Sequence, residues 1–172
     1  AVQLLGRPAG DGLITIRETD RMLVLSCEQF TYVFNKLTGL FDKMTFANEP
    51  LLDQPMGFNV WRAPTDNDRK LKADWYAAHY DHAATNAYHT EYTVTASGVT
   101  LHTHVGIAAI CVQKFLDLDV TWTVANNGSV DLALHAQRNT VFPELPRFGL
   151  RLFLPQEMSQ VHYYGLGPLE CY

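Results

Sequence analysis

Apolar and polar side chains alternate with a period of two along most of the chain, and this pattern constrains the fold more than any other feature. In the run from Phe115 to Val124, apolar residues at every second position alternate with aspartates and threonines. A strand with this pattern buries one face and leaves the other in water. The run therefore predicts a half-buried antiparallel strand.

Two hairpins continue the alternation. The first turns at residues 126–129, around an Asn-Gly pair, and the second turns at Ser97-Gly98; both are typical hairpin turns. The residues predicted to face inward are Val130, Leu132 and Leu134 in the first hairpin, and Tyr92 and Val94 in the second.

The first third of the chain repeats the pattern in shorter runs, at Leu13–Glu18, Arg21–Cys27, Phe30–Lys36 and Leu40–Phe46. Turn spacings of roughly 8–10 residues are typical of β-sandwiches and barrels. Only Ala73–Ala87 departs from period two, and we expect one or two helical turns there. The sequence thus predicts an all-β fold with one short helical or irregular segment, in a single domain spanning residues 1–172.

Charge and composition exclude several kinds of partner. The net charge is −5, and the 13 Lys and Arg residues are scattered, so no basic stripe is available for nucleic acid. No apolar run reaches the roughly 18 residues of a membrane span. Cys27, Cys111 and Cys171 lack the spacing of a disulfide framework or a zinc site, which favours a reducing compartment.

Asp117 and Asp119 are the only close carboxylate pair on one strand face. Glycoside hydrolysis requires two carboxyl groups about 5–9.5 Å apart across a cleft. These two alternate with apolar residues along a strand, so a solvated sheet face is the favoured interpretation. We therefore predict no catalytic residue in this chain.

The seven histidines raise the question of a metal site. His102 and His104 lie two apart on a strand that is predicted to expose them, and His79, His82 and His89 fall in the irregular stretch. Because His102 and His104 have no evident third ligand and look solvent-facing, we predict no metal site.

The polar triplet Asp66-Asn67-Asp68 follows Pro64. Such side chains can cap the following turn and hold the loop rigid. Direct contact with a sugar or an ion is compatible with capping and stays open. Trp61 and Trp75 bracket this loop and are candidate platforms for sugar stacking, although anchoring the loop to the core is the more common role.

Four segments resemble one family. They are WRAPTDND at residues 61–68 with WYAA at 75–78, YGLGPLECY at 164–172, FNKLTGL at 34–40, and PRFGL at 146–150. Together they resemble the C-terminal small-chain domain of glycoside hydrolase family 2 β-galactosidases, over nearly the whole chain.

This resemblance implies a large twisted antiparallel supersandwich, similar to that of galactose mutarotases, of which this chain is an N-terminal portion. The family's catalytic glutamates, and the Mg and Na ions of its members, belong to a (β/α)8 barrel outside this chain. The implied role is a non-catalytic scaffold of a bacterial, cytoplasmic enzyme that hydrolyses terminal β-D-galactosides, with the barrel as partner. The site-adjacent loop is then Arg62, Asp66, Asn67 and Asp68, although the connection at Arg69–Asp74 is shorter than in well-known members.

Two other functions stay open at this point. One is a stand-alone carbohydrate-binding module, and the other is a mutarotase-like isomerase that uses a histidine and a glutamate as acid and base. We also expect exposed strand edges to favour a weak homodimer of this chain.

Overall fold

The computed structural model describes residues 12–110 and 112–160. In these ranges the strands are β1 (Thr15–Glu18), β2 (Met22–Ser26), β3 (Phe30–Asn35), β4 (Leu40–Phe46), β5 (Glu49–Pro50), β6 (Gln54–Asn59), β7 (Ala84–Thr95), β8 (Gly98–Ala108), β9 (Leu116–Ala125), β10 (Val130–Arg138) and β11 (Gly149–Phe153). One helix, α1 (Lys72–Ala77), lies between β6 and β7, with 3-10 turns on either side at Asp66–Asp68 and Tyr80–His82.

The strands form three antiparallel sheets in the described part of the chain. Their orders are β1-β2-β3-β4-β5, β10-β9-β8-β7 and β11-β6. Consecutive strands are neighbours in both larger sheets, as expected for short hairpin connections. The prediction of an all-β antiparallel fold is confirmed.

The buried faces of the two larger sheets meet in one hydrophobic core. Phe41 of β4 packs edge to face on Trp122 of β9, with ring centroids 5.2 Å apart. The Trp122 indole N–H donates to the Gly39 carbonyl at 3.0 Å, and the Tyr32 hydroxyl donates to the Gly128 carbonyl at 2.7 Å. Aromatic packing and hydrogen bonds from buried rings therefore join the sheets, as in a β-sandwich.

Gly39 explains part of the FNKLTGL motif at residues 34–40. It has a φ of +72° in the β3–β4 turn, and a Cβ there would lie 2.8 Å from Cγ2 of Val105. Asn35 closes the turn, because its side-chain oxygen accepts from the Leu37 N–H at 2.9 Å. The turn thus requires a residue without a side chain where it presses on the four-stranded sheet.

The predicted hairpins are confirmed, but three side chains expected to be buried are not. Tyr92 and Val94 pair with the buried Leu101 and Val99, and Leu132 pairs with Trp122. They therefore share the inner face, yet they are 37%, 56% and 37% exposed. The reason is their place on β7 and β10, the two edge strands of the sheet, where the facing sheet does not cover them.

The predicted helical segment is confirmed and ends earlier than expected. Helix α1 and the turn at Tyr80–His82 are followed directly by β7, which begins at Ala84. Residues 84–87 therefore belong to a strand. Among the described residues, no helix is long and apolar enough to cross a membrane.

We predict that Trp122→Phe destabilises the chain by about 1–3 kcal/mol, because it leaves the Gly39 carbonyl without its donor in the core. Trp122→Ala should cost about 3–5 kcal/mol, since it also leaves a cavity. Urea unfolding at 25 °C measures both. The control is Asp119→Asn, since the Asp119 side chain is 74% exposed and should matter by less than about 0.5 kcal/mol. A Trp122→Phe cost as small as the control's would contradict this account.

Candidate functional site

Arg62 is the centre of the β6–α1 loop (residues 60–71). Its guanidinium makes a forked ion pair with Asp68, with contacts of 2.5 and 2.8 Å. Its Nε donates to the Pro146 carbonyl at 3.1 Å, and its Cζ lies 5.1 Å from the centroid of the Trp75 ring. Arg62 therefore ties together the loop, helix α1 and the connection between β10 and β11.

Asp68 receives a second set of hydrogen bonds from its own turn. Its Oδ2 accepts from the Thr65 N–H at 2.7 Å and from the Thr65 hydroxyl at 2.9 Å. Asp68 is only 6% exposed, so the carboxylate has exchanged water for protein donors. The Arg62 guanidinium, helped by the Thr65 N–H, holds the pKa of Asp68 well below its usual range. Asp68 is thus a buried anion that fixes the loop.

Asp66 and Asn67 are exposed, unlike Asp68. The sequence suggested one capping role for all three, but only Asp68 turns inward to the Thr65 backbone. The structure therefore separates the triplet into one anchoring residue and two surface residues. Fixed backbone and exposed polar side chains together suit direct contact with a ligand.

The two tryptophans that bracket the loop differ in the same way. Trp75 is 3% exposed, so its ring has no free face for a sugar and serves as the anchor under Arg62. Trp61 is half-buried and lies against Tyr76, with ring centroids 5.2 Å apart and planes tilted by 57°. Tyr76 is 48% exposed. The hypothesis of a sugar platform is therefore kept for Trp61 and extended to Tyr76, which no feature of the sequence had singled out.

The connection after Asp68 is largely helical. Of the stretch Arg69–Asp74, the last three residues form the first turn of α1. The helix ends immediately before Ala78, which is buried beside the core. The short connection is thus built into a helix whose Trp75 is buried, and only residues 69–71 remain irregular.

A second set of contacts holds the β10–β11 connection in place. The Tyr80 hydroxyl donates to the Pro143 carbonyl at 2.6 Å, and Arg138 donates to the Phe142 carbonyl at 2.7 Å. Tyr80 is fully buried, and burial raises its pKa. Further along, Phe148 stacks on Phe58 of β6 at 6.0 Å. The segment that carries PRFGL is therefore fixed beside the loop that carries WRAPTDND.

Asp117 and Asp119 do not form a sugar cleft. The His104 ring lies between them, with Nε2 3.2 Å from Asp117 and Nδ1 3.0 Å from Asp119. Asp117 also pairs with Lys114, whose pKa is raised mainly by that contact. Both carboxylates lie on the outer face of the four-stranded sheet, as predicted, and an imidazole fills the space that a scissile bond would need.

Other predicted residues have different outcomes. His89 lies in β7 opposite His104, not with His79 and His82 in the helical turns. Over the described residues, no group of three or more His, Cys, Asp or Glu side chains is arranged as a metal site. The motif at 164–172 and Cys111 lie outside the described residues.

Fold and site together define an antiparallel β-sandwich domain that displays one rigid, polar loop. The model of the family described as beta galactosidase small chain matches residues 26–172. The chain belongs to this family.

Several similar proteins are β-galactosidases. The chain is 38% identical over 144 residues to a β-galactosidase of Actinobacillus pleuropneumoniae, a match covering 84% of this chain. It is 34% identical over 160 residues to one of Staphylococcus xylosus, covering 92%, and 27% identical over 179 residues to one of Pseudoalteromonas haloplanktis, covering 93%. The chain spans only 14–16% of the length of these relatives.

We predict that Asp68→Asn lowers stability strongly at pH 7 and that the difference from the parent sequence shrinks in acid. The stabilising effect of Asp68 is present above its unfolded-state pKa of about 3.9. It is lost as the pH falls towards the lower folded-state pKa, because only the unfolded state binds a proton in that range. Urea unfolding from pH 7 to pH 2.5 measures it.

The matched control is Asp66→Asn, which changes an exposed aspartate two residues away and should alter stability by less than about 0.5 kcal/mol. If Asp68→Asn and Asp66→Asn gave the same pH profile, the Arg62 pair would not be the anchor of the loop.

Proposed function

We propose that this chain is a non-catalytic scaffold domain of a β-galactosidase and that its β6–α1 loop supports one wall of the galactoside site. The observation that carries the proposal is the bridge from Arg62 to both Asp68 and Pro146. It brings two of the family-like motifs together and leaves Asp66 and Asn67 exposed at their junction.

Within this proposal the loop residues have distinct tasks. Arg62 and Asp68 are positioning residues, because their polar atoms form hydrogen bonds with each other, with Thr65 and with the Pro146 carbonyl. Asp66 and Asn67 supply acceptors and donors that sugar hydroxyls can use. A loop held in one conformation before binding loses little entropy when a ligand arrives.

Trp61 and Tyr76 add an aromatic surface to the same loop region. Sugars stack on such rings through their apolar C–H faces, and the exposed Tyr76 ring offers one. In the proposal this pair is the sugar platform of the domain. The same pair favours the second candidate function, a carbohydrate-binding module that binds sugars without the rest of an enzyme.

The remainder of the chemistry belongs, in this proposal, to a catalytic barrel that packs against this domain. That barrel supplies the acid/base and nucleophile carboxylates together with any Mg and Na ions, and the assembly acts on terminal β-D-galactosides in a bacterial cytoplasm. Three of the described carboxylates are engaged elsewhere, since Asp117 and Asp119 contact His104 and Asp68 pairs with Arg62.

We predict that the 172-residue chain does not hydrolyse a chromogenic β-galactoside above the rate in buffer, because no positioned acid and nucleophile face each other within residues 12–110 and 112–160. Colorimetric assay of a pure sample measures this, with a full-length β-galactosidase as positive control. Turnover that co-purifies with the chain would overturn the scaffold role.

In the full-length enzyme, the double variant Asp66→Ala/Asn67→Ala should lower kcat/KM about tenfold or more, the equivalent of losing roughly 1.5 kcal/mol of contact with the sugar. Its melting temperature should be unchanged, since both residues are exposed. Arg69→Ala is the matched control, because it changes an exposed neighbour and should leave both quantities alone. If the folded Asp66→Ala/Asn67→Ala enzyme had unaltered kinetics, the loop would not contact the substrate.

Two measurements on the isolated chain distinguish the scaffold from the two alternative functions. Saturable binding of galactose by calorimetry, abolished by Tyr76→Ala, would favour the carbohydrate-binding module. Faster interconversion of galactose anomers, followed by polarimetry, would favour the isomerase.

A further inference from the structure

Each sheet of the described structure ends in strands that are hydrogen-bonded on one side only. The exposed backbone of such an edge strand can pair with another strand, and natural proteins block this pairing with short strands, prolines, lysines or β-bulges. In the described residues the edge strands are β1 and β5, β7 and β10, and β6 and β11. The features that block each edge indicate where a second chain can pair.

Five of these six edge strands have a blocking feature. Strand β5 has two residues, one of which is Pro50, and β1 has only four. Strand β6 contains Pro55, and its ladder with β11 has a shift of register. Strand β7 has a bulge at Tyr88, and a bulge increases the local twist of an edge.

Strand β10 (Val130–Arg138) is the exception among the described edges. Its nine residues pair with β9 in an unbroken register. Its sequence, VDLALHAQR, contains no proline, lysine or glycine. Six of the nine side chains are exposed, and the apolar Leu132 is one of them. Strand β10 is therefore the described edge best suited to pairing with another strand.

We propose that β10 pairs with β10 of a second copy of this chain, antiparallel and about a two-fold axis at Ala133. The same strand then supplies both sides of the contact, as in other isologous dimers. The two four-stranded sheets become one continuous sheet, and Val130 of each copy lies opposite Ala136 of the other.

The alternation of the two faces favours this register. Leu132 and Leu134 lie on the inner face of β10, because they pair with buried residues of β9. Pairing about Ala133 places Leu132 of each copy opposite Leu134 of the other, so apolar side chains meet on the inner face. A shift by one residue would instead place inner-face residues opposite outer-face residues. Leu132, which is 37% exposed, thereby gains a hydrophobic neighbour.

The outer face is complementary in the same register. Asp131 and His135 are both exposed, and the two-fold axis places Asp131 of each copy opposite His135 of the other. Side chains in such pairs have Cβ atoms about 4.5–5.5 Å apart, and an imidazole N–H donates to a carboxylate in either protonation state. A register centred one residue further along, on Leu134, would separate Asp131 from His135.

The test is sedimentation equilibrium of the 172-residue chain over a concentration series at neutral pH. The mass should rise from 19.4 kDa towards twice that value. Ala133→Lys should weaken association about fivefold or more, because it places two lysines side by side at the axis. Thr93→Lys is the matched control, since it adds the same charge at an exposed position of the other edge strand, β7, and should leave association unchanged.

An exchange of charges tests the register. His135→Asp alone places two aspartates opposite each other on either side of the axis, and should weaken association about fivefold or more. The double variant Asp131→His/His135→Asp restores one histidine opposite each aspartate. Its association constant should therefore return to within about twofold of that of the parent chain. A role of either residue within a single chain would not produce this rescue.

A chain that stays monomeric across the series would overturn the proposal. So would a dimer that either Ala133→Lys or His135→Asp leaves unweakened, or one that the exchange does not rescue, because each result assigns the contact to another surface or register. Circular dichroism checks folding, and every substituted residue is exposed, so no variant removes a core contact. The outcome is independent of the proposed role in galactoside hydrolysis.

Discussion

Burial of one face of the four-stranded sheet against the five-stranded sheet is the constraint on which the rest of the structure depends. Trp122 stands at this junction, where it packs on Phe41 and donates to the Gly39 carbonyl. Neither sheet could keep its apolar face in water alone, because exposed apolar surface costs about 25 cal/mol per Å² relative to buried surface. The two faces of each strand then take different tasks: inner positions build the core, and outer positions are free to carry polar groups.

The polar loop depends on that core through its aromatic residues. Trp75 is part of the core cluster and lies under the Arg62 guanidinium, which in turn neutralises the buried Asp68. A buried carboxylate without a cation would be unstable, whereas one with a forked guanidinium and a backbone donor is held in one place. The loop surface is therefore rigid because the residues beneath it are buried in the core. The Arg62–Asp68 ion pair connects the loop to those residues.

Alternation was sufficient to predict most strands, and the run Leu40–Phe46 has the same bounds in the structure. It was insufficient where burial depends on neighbours in space. Tyr92 and Leu132 follow the pattern yet are exposed at sheet edges, and the different roles of Asp66 and Asp68 follow from a contact with Arg62 that local sequence does not specify. Trp75 could be predicted as either a platform or an anchor, and only its 3% exposure decides for the anchor.

Strand β7 has a bulge at Tyr88, because its register passes from Ala87 opposite Val105 to His89 opposite His104, and this bulge affects how relatives of this chain can be compared. Positions before and after it are assigned to faces by two different parities, because one residue has been added to the count. Loss of that single residue in a homologue would remove the bulge, restore strict alternation and leave every other position of the strand on its present face. A one-residue gap in an alignment at this point would therefore preserve inside and outside on both sides, whereas a homologue that kept the residue and lost the bulge would reverse them along half the strand.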